Sequence, residues 1–248
     1  MKPRVSVVVT AKDEDEAIMG ALARIAEAVE VPCEVLVVCD SLGDTTVPWV
    51  KKYAEEDDRV RLVINAYGPG PARAIRSGFD AAVADVVVVT MADGCDDPQQ
   101  IDQLTRLVER GVVVAAASRY SRGGQQVGGP LLKSLMSRTA GASLYIFARV
   151  GTWDPTNSFK AYNRDFVREV GIDSDKGFEV GIELVAKARR LRLPVAEVPT
   201  IWLDRTTGVS HFKIAKWLSA YLRWYRFAFG PKLSVEQLHM QTSGEKKK

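Results

Sequence analysis

Short apolar, β-branched runs alternate with longer segments of helical spacing through the first half of the chain. "RVSVVVT" (4–10), "EVLVVC" (34–39), "RVRLVI" (59–64) and "VVVVTM" (86–91) are apolar on both pleat faces, as strands buried in a parallel sheet must be. Between them the spacing predicts helices over about 14–29, 47–56 and 71–84, and another from about 98 to 110 with Pro98 in its first turn. "GVVVAAAS" (111–118) reads as a fifth strand. This alternation predicts a doubly wound α/β fold with ligands beyond the carboxyl ends of the strands. Residues 10–14, 40–44 and 93–97 stand there.

The second half is less regular. Residues 130–148 read as a helix bearing Leu131, Leu132, Leu135, Met136, Leu144, Ile146 and Phe147. "SFKAY" (158–162) reads as a strand, about 177–192 as a helix, and "VAEVPTIWL" (195–203) as a strand interrupted by Pro199. Over 212–229 an aromatic helix sets Ile214, Trp217, Leu218, Tyr221, Leu222 and Tyr225 on one broad stripe, with Lys213, Lys216, Arg223 and Arg226 as cationic flanks. Such a stripe serves either a membrane interface or the protein's own core. The final "TSGEKKK" is expected to be disordered. No repeat or linker breaks residues 1–230, so a single domain is expected, with 231–248 a flexible tail.

With 248 residues, the chain is long enough for one large α/β domain with a substantial core. No apolar run nears the roughly 18 residues of a membrane span, and the N-terminus lacks a signal-peptide plan. Cys33, Cys39 and Cys95 give neither a disulfide framework nor a paired metal spacing, which predicts a reduced, cytosolic protein. The net charge of +3 hides an asymmetry: residues 1–110 sum to −8 and residues 111–248 to +11. The windows 111–153 and 205–235 contain no acidic residue. That half suits phosphates or anionic lipid, or is simply a solvated basic surface; it holds no nucleic-acid motif, and no nucleic-acid partner is expected.

Each strand end has two readings. In "TAKDEDE", Lys12, Asp13 and Glu14 either face a ligand or serve a helix N-terminus. In "CDSLGDTT", Asp40 either accepts a hydrogen bond from a base or fills a turn. "GPGPARAIRSG" (68–78) offers backbone N–H groups to phosphate but is neither a P-loop nor a dinucleotide fingerprint. In "MADGCDDP" (91–98), clustered carboxylates suit Mg²⁺ or Mn²⁺ carrying a diphosphate. Asp93 is the expected main ligand; a turn through Gly94 would swing Asp96 back beside it, and Asp97 would cap the helix beginning at Pro98.

These pieces, in this order, resemble the family 2 glycosyltransferases of GT-A fold, a mostly parallel sheet flanked by helices. The likeness leans toward the dolichol-phosphate mannose synthase and polyprenyl-phosphate sugar transferase branch. "SRYSRGG" (118–124), "LKSLMSRTAG" (132–141), "DPTNSFKAY" (154–162), "KGFEVGIELVAKAR" (176–189) and "EVPTIWLDRTTGVSH" (197–211) each look like a family block. The resemblance implies a nucleotide-diphosphate sugar donor, Mg²⁺ or Mn²⁺, and a polyprenyl phosphate acceptor at the cytoplasmic membrane surface, with room for a separate membrane-anchor protein. It makes 1–110 the nucleotide-sugar half, 111–211 the acceptor half and 212–230 an amphipathic helix. By position, Thr10, Lys12, Glu14 and Asp40 would face the nucleotide and Asp93 the metal, with Asp96 beside it. Arg119, Arg138 and Arg205 would gather the donor diphosphate and the acceptor phosphate, aided by His211 and Lys213, and each arginine would be dispensable for folding.

The chain departs from the family pattern. Thr10 and Asp13 stand where the family carries proline and asparagine, and Met91 replaces the first carboxylate of its Asp-x-Asp. Cys95 replaces a polar residue, and His211 a lysine, with Lys213 nearby. A soluble acceptor and a non-catalytic sugar-nucleotide binder remain as alternatives.

Overall fold

The computed structural model describes residues 2–204 and 214–244. Its central sheet has seven strands: β1 (Val5–Thr10), β2 (Cys33–Cys39), β3 (Val60–Ile64), β4 (Val86–Met91), β5 (Val114–Ser118), β7 (Lys160–Asn163) and β8 (Val195–Pro199). Their spatial order is β3-β2-β1-β4-β7-β5-β8, and only β7 runs antiparallel to its neighbours. The expected strand over 195–203 becomes two strands in two sheets. After Thr200 the chain forms β9 (Ile201–Leu203), which pairs in parallel with β6 (Gln125–Val127). Thr200 makes the crossing: its N–H donates to Ser118 and its carbonyl accepts from Gln125.

Helices α1 (Ala17–Ala28), α2 (Val47–Glu56), α3 (Pro71–Ala81) and α4 (Gln100–Glu109) follow the early strands close to their expected bounds. Two apolar layers result, one on each sheet face, because alternate residues of β1, Val8 against Val7 and Val9, point to opposite sides. Gly78 sets the approach of α3: a Cβ there would run into the Val8 side chain. Helix α5 (Leu131–Ser143) continues into a π turn, Leu144–Ala148, and α7 (Val180–Leu191) is buried almost throughout.

The C-terminal region bears on one open reading and corrects one expectation. Helix α8 (Ile214–Ala228) packs its aromatic face on the domain rather than leaving it all outward. Trp224 is buried and its indole N–H donates to Ser174 Oγ at 3.0 Å; Tyr221 and Tyr225 pack on the same core, while Leu218 and Leu222 stay exposed. The expected flexible tail instead holds a further helix, α9 (Val235–Gly244), with Leu238 and Thr242 buried. Arg190 of α7 fastens this end, donating to the carbonyls of Phe227 and Pro231 and to Gln241. A short helix α6 (Arg164–Val170), capped by Asn163 and packed against α9, was also not expected. Residues 245–248 lie outside the described residues.

Leu238→Ala is therefore expected to lower the unfolding free energy by about 2–4 kcal/mol, the usual cost of emptying a buried leucine site. Urea denaturation measures it; a change within a few tenths of a kcal/mol would mean that α9 adds nothing to the core.

Candidate active site

Parallel pairing brings the strand ends side by side. Thr10 is opposite Val38 of β2 on one side and Met91 of β4 on the other, so Asp40, Thr10 and Asp93 form a row along the carboxyl edge. Antiparallel β7 enters between β4 and β5 from this same edge, with Lys160 opposite both Val89 and Ala116. The row thus continues through residues 154–157 to Arg119, which follows β5.

At the first loop, Asp13 and Asp15 hold left-handed backbone angles of φ 52° and 49°. Asp44 steadies the bend: its Oδ1 accepts from the Asp13 N–H at 3.1 Å and the Thr46 N–H at 2.9 Å. Glu14 is half-buried and gives its N–H to Thr46 Oγ1, while Lys12 is exposed. The Asp40 carboxylate accepts from Asn65 Nδ2 at 2.9 Å and from the Gly70 N–H at 3.2 Å. Asp40 thereby holds the "GPGP" loop in place, which realises the turn reading of this residue.

The stretch after β4 folds as expected. Gly94 takes φ 69°, and the chain doubles back. Asp93 Oδ1 accepts from the Cys95 N–H at 3.1 Å, and Asp96 Oδ2 accepts from the Thr90 hydroxyl at 2.8 Å. Burial pushes the Asp96 carboxyl up to about 7, and the nearby charge of Asp93 adds to the shift. Asp97 Oδ1 accepts the Gln99 N–H at 3.1 Å and so serves the start of α4. Arg24 of α1 clamps the turn from outside, donating to the carbonyls of Gly94 and Asp96. Nothing in the sequence singled out Arg24; only the packing of α1 shows it.

Two adjacent carboxylates that repel one another fit a hard divalent cation in their donor type. Among the described residues, however, no group of three or more His, Cys, Asp or Glu side chains is arranged to hold a metal. Diphosphate oxygens and water would have to complete the shell, and Met91, a thioether at the strand end, adds no suitable donor.

Arg119 is engaged within the protein. Its Nε and Nη2 bond both carboxylate oxygens of Asp154, at 2.7 and 2.9 Å, and its backbone N–H bonds the same carboxylate at 3.1 Å. Both side chains are buried. Burial alone would raise the Asp154 carboxyl, but the Arg119 charge and hydrogen bonds outweigh it and hold the group below its ordinary value. Arg119 thus meets Asp154 within the protein, and its removal is expected to destabilise the fold. Arg138, exposed on α5, keeps an open guanidinium face and lies near enough to Tyr120 for its charge to act on that phenol. Arg205, His211 and Lys213 lie outside the described residues. They follow Asp204, whose N–H donates to Val127, and Leu203, whose N–H donates to the Cys95 carbonyl. The small sheet is thus fastened to the carboxylate turn.

Asp154 and Lys160 fall in a stretch that the sequence marks as a block, yet without assigned roles. Lys160 is wholly buried; its Nζ donates to the Asn157 carbonyl. Burial pushes the amine down to about 7, opposed by Asp154 and furthered by Arg119.

Comparison with known proteins adds a family and a fold. The profile described as "Glycosyl transferase family 2" matches residues 6–171. An undecaprenyl-phosphate mannosyltransferase of Micrococcus luteus is 28% identical over 212 residues, covering 84% of this chain and 86% of that protein. A polyprenol monophosphomannose synthase of Mycolicibacterium smegmatis is 30% identical over 199 residues, covering 74% and 75%. In structure, the chain resembles glucosyl-3-phosphoglycerate synthase of Mycobacterium tuberculosis, solved with Mn²⁺, UDP-glucose and phosphoglyceric acid. That likeness has a TM-score of 0.68 at 17% identity over 94% of this chain and 82% of that one, and is one of fold alone.

Two outcomes are expected. Arg119→Ala and Asp154→Ala should each destabilise the protein by about 3–5 kcal/mol, because each strands a buried charge. The double variant should cost clearly less than the two together, and a simple sum in urea unfolding would deny the pair. The second outcome concerns pH. Unfolded, Lys160 titrates near about 10.4; folded, near about 7. Between these the unfolded chain holds a proton that the native state lacks, so native stability rises with pH across that window. Lys160→Met has no such dependence, so its stability advantage over the wild type should shrink from about pH 7 to about pH 9. An advantage that stays constant across that window would show the amine to be charged in the core.

Proposed function

Since the chain belongs to glycosyl transferase family 2, we propose that it moves a hexose, mannose or a close relative, with inversion, from a nucleotide diphosphate to the phosphate of a polyprenyl lipid. The observation on which this rests is apolar surface beside the charged edge. Leu131, 87% exposed, with Leu132, Leu135 and Met136, lines the start of α5; Val127, Ile201 and Leu203 do so on the small sheet. Phe147, 74% exposed, and Ile146 add apolar surface at the π turn that follows α5. Water-exposed leucines in such number mark a surface that meets apolar material. Lys133 and Arg138 stand among them, as suits a phosphate headed by a hydrocarbon tail. The named relatives from Micrococcus and Mycolicibacterium support this acceptor class. Among the described residues no helix is long and apolar enough to cross a membrane, so contact with lipid would be made in the plane of its surface, on the cytoplasmic side.

A phosphate acceptor is already nucleophilic and needs little help from a general base. The protein's task is to bring two anions together and stabilise a leaving diphosphate. Thr10, Lys12, Glu14 and Asp40 would border the nucleotide. Asp93 and Asp96 would hold Mg²⁺ or Mn²⁺, whose positive charge stabilises the leaving diphosphate. Arg138, with Arg205, His211 and Lys213, would receive the acceptor phosphate, while Arg119 and Asp154 keep the loops in register. A separate membrane-anchor protein would supplement this surface contact.

The test is transfer from a panel of nucleotide sugars, with Mn²⁺, to a polyprenyl phosphate in vesicles. Asp93→Ala should abolish transfer. Leu131→Gln with Leu135→Gln, both exposed, should raise the apparent KM for the vesicle acceptor about tenfold while leaving kcat toward a short-chain acceptor in detergent unchanged. Equal rates with a soluble phosphorylated acceptor and no response to vesicles would redirect the reading to a soluble glycan or small molecule. Nucleotide-sugar binding without turnover would mark a non-catalytic homologue.

A further inference from the structure

At the opposite edge of the sheet, three arginines share one cavity. Strands β5 and β8 are parallel, with Val114 opposite Val195 and Ser118 opposite Pro199. Val195 therefore lies at the amino edge, the far end from Arg119. There Arg149, Arg189 and Arg192 surround an open-sided cavity of about 260 Å³, floored by Val150, Leu193 and Val195. No acidic residue lines it, and among the described residues none of the three guanidinium groups makes a salt bridge.

Three like charges held together are unfavourable unless an anion joins them. The arrangement is nonetheless built in. Arg189 Nε donates to the Ala148 carbonyl, which fixes the guanidinium, and its Nη1 is buried with no hydrogen-bond partner. An N–H left in that condition ordinarily costs about 1–3 kcal/mol. Burial pushes the Arg189 guanidinium below its ordinary value, and the charges of Arg192 and Arg149 push the same way. Arg149 ends the π turn and Arg192 ends α7, both in the left-handed conformation, at φ 57° and 62°. Glycine is the usual occupant of such helix ends; here a charged side chain stands at both. Phe147 and Ile146, exposed on the π turn, lie two and three residues before Arg149 in the chain.

We propose that the cavity walled by Arg149, Arg189 and Arg192 binds a phosphate group, at a site separate from the carboxylate edge where sugar transfer is placed. Two parallel N–H groups of one guanidinium match two phosphate oxygens, and three arginines answer a dianion or a crowded monoanion. The phosphate could be a phospholipid headgroup, reached from the apolar surface beside Phe147, or a free phosphoester. The chemistry is shared, and this site stands whether or not the acceptor reading does.

The experiment compares the full-length wild type with the double variant Arg149→Gly, Arg192→Gly. Glycine accepts the left-handed angles, so in sodium chloride the variant should unfold near the wild-type temperature. In sodium phosphate of matched ionic strength the wild type should gain about 2–4 °C in Tm once phosphate is near ten times its Kd. The variant should lose most of that gain. Flotation with phosphatidylcholine vesicles, plain or containing phosphatidylglycerol, separates the sources. If the variant also floats less with the anionic vesicles, the phosphate is a headgroup; unchanged flotation assigns a free phosphoester. If the variant retains the whole phosphate response, the proposal is overturned, whatever the vesicles show.

Discussion

The bidentate pair between Arg119 and Asp154 ties an antiparallel strand into an otherwise parallel sheet. Strand β7 has backbone partners on both sides, but backbone pairing alone does not place the loop that precedes it. Asp154 does so. Its carboxylate takes three N–H groups from Arg119 and one from Asn157, whose own side chain donates to the Ala117 carbonyl at 3.0 Å. Ser137 of α5 joins the same cluster through Thr156 at 2.7 Å. Strand, loop and outer helix thus share one buried charge pair, whose members must be satisfied together because neither tolerates an apolar surrounding alone.

The carboxylate turn shows a different balance. Two acids placed together at a strand end repel, and the protein meets this by leaving Asp96 reluctant to ionise and by holding the turn's carbonyls with Arg24. Through the bend at Gly94, Asp96 returns to Thr90, next to Met91 at the strand end.

Much of this was legible beforehand because buried parallel strands leave unbroken apolar runs, and Val5–Thr10 or Val86–Met91 could hardly be anything else. The turn at Gly94 and the hydrogen bond from the Gln99 N–H to Asp97 ahead of α4 followed from local chemistry that needs only neighbouring residues. Long-range partners are another matter. That Arg119 meets Asp154, 35 positions further along, depends on the segment between them folding back, which periodicity cannot report. The insertion of β7 between β4 and β5 is likewise a property of sheet order, not of the "FKAY" pattern. Helix α9 escaped notice because its sequence is polar with a single deeply buried leucine, so its apolar spacing is faint.

The division of charge along the chain becomes, in three dimensions, a division across the sheet. Strands β1 to β4 occupy one flank and β5, β7 and β8 the other, so the strands of the acidic half and those of the basic half lie side by side, with α4 reaching across to β5, β7 and β8. Such a molecule has a permanent electric dipole roughly in the plane of its sheet. In the field of an anionic surface it experiences a torque as well as an attraction, and turns its basic flank inward before any side chain touches. Screening confines that field to about 8–10 Å at physiological salt, less than the width of the domain. The rotation is therefore completed in the last moments of approach, and added salt would act first on how often encounters arrive correctly oriented rather than on how tightly the oriented molecule holds.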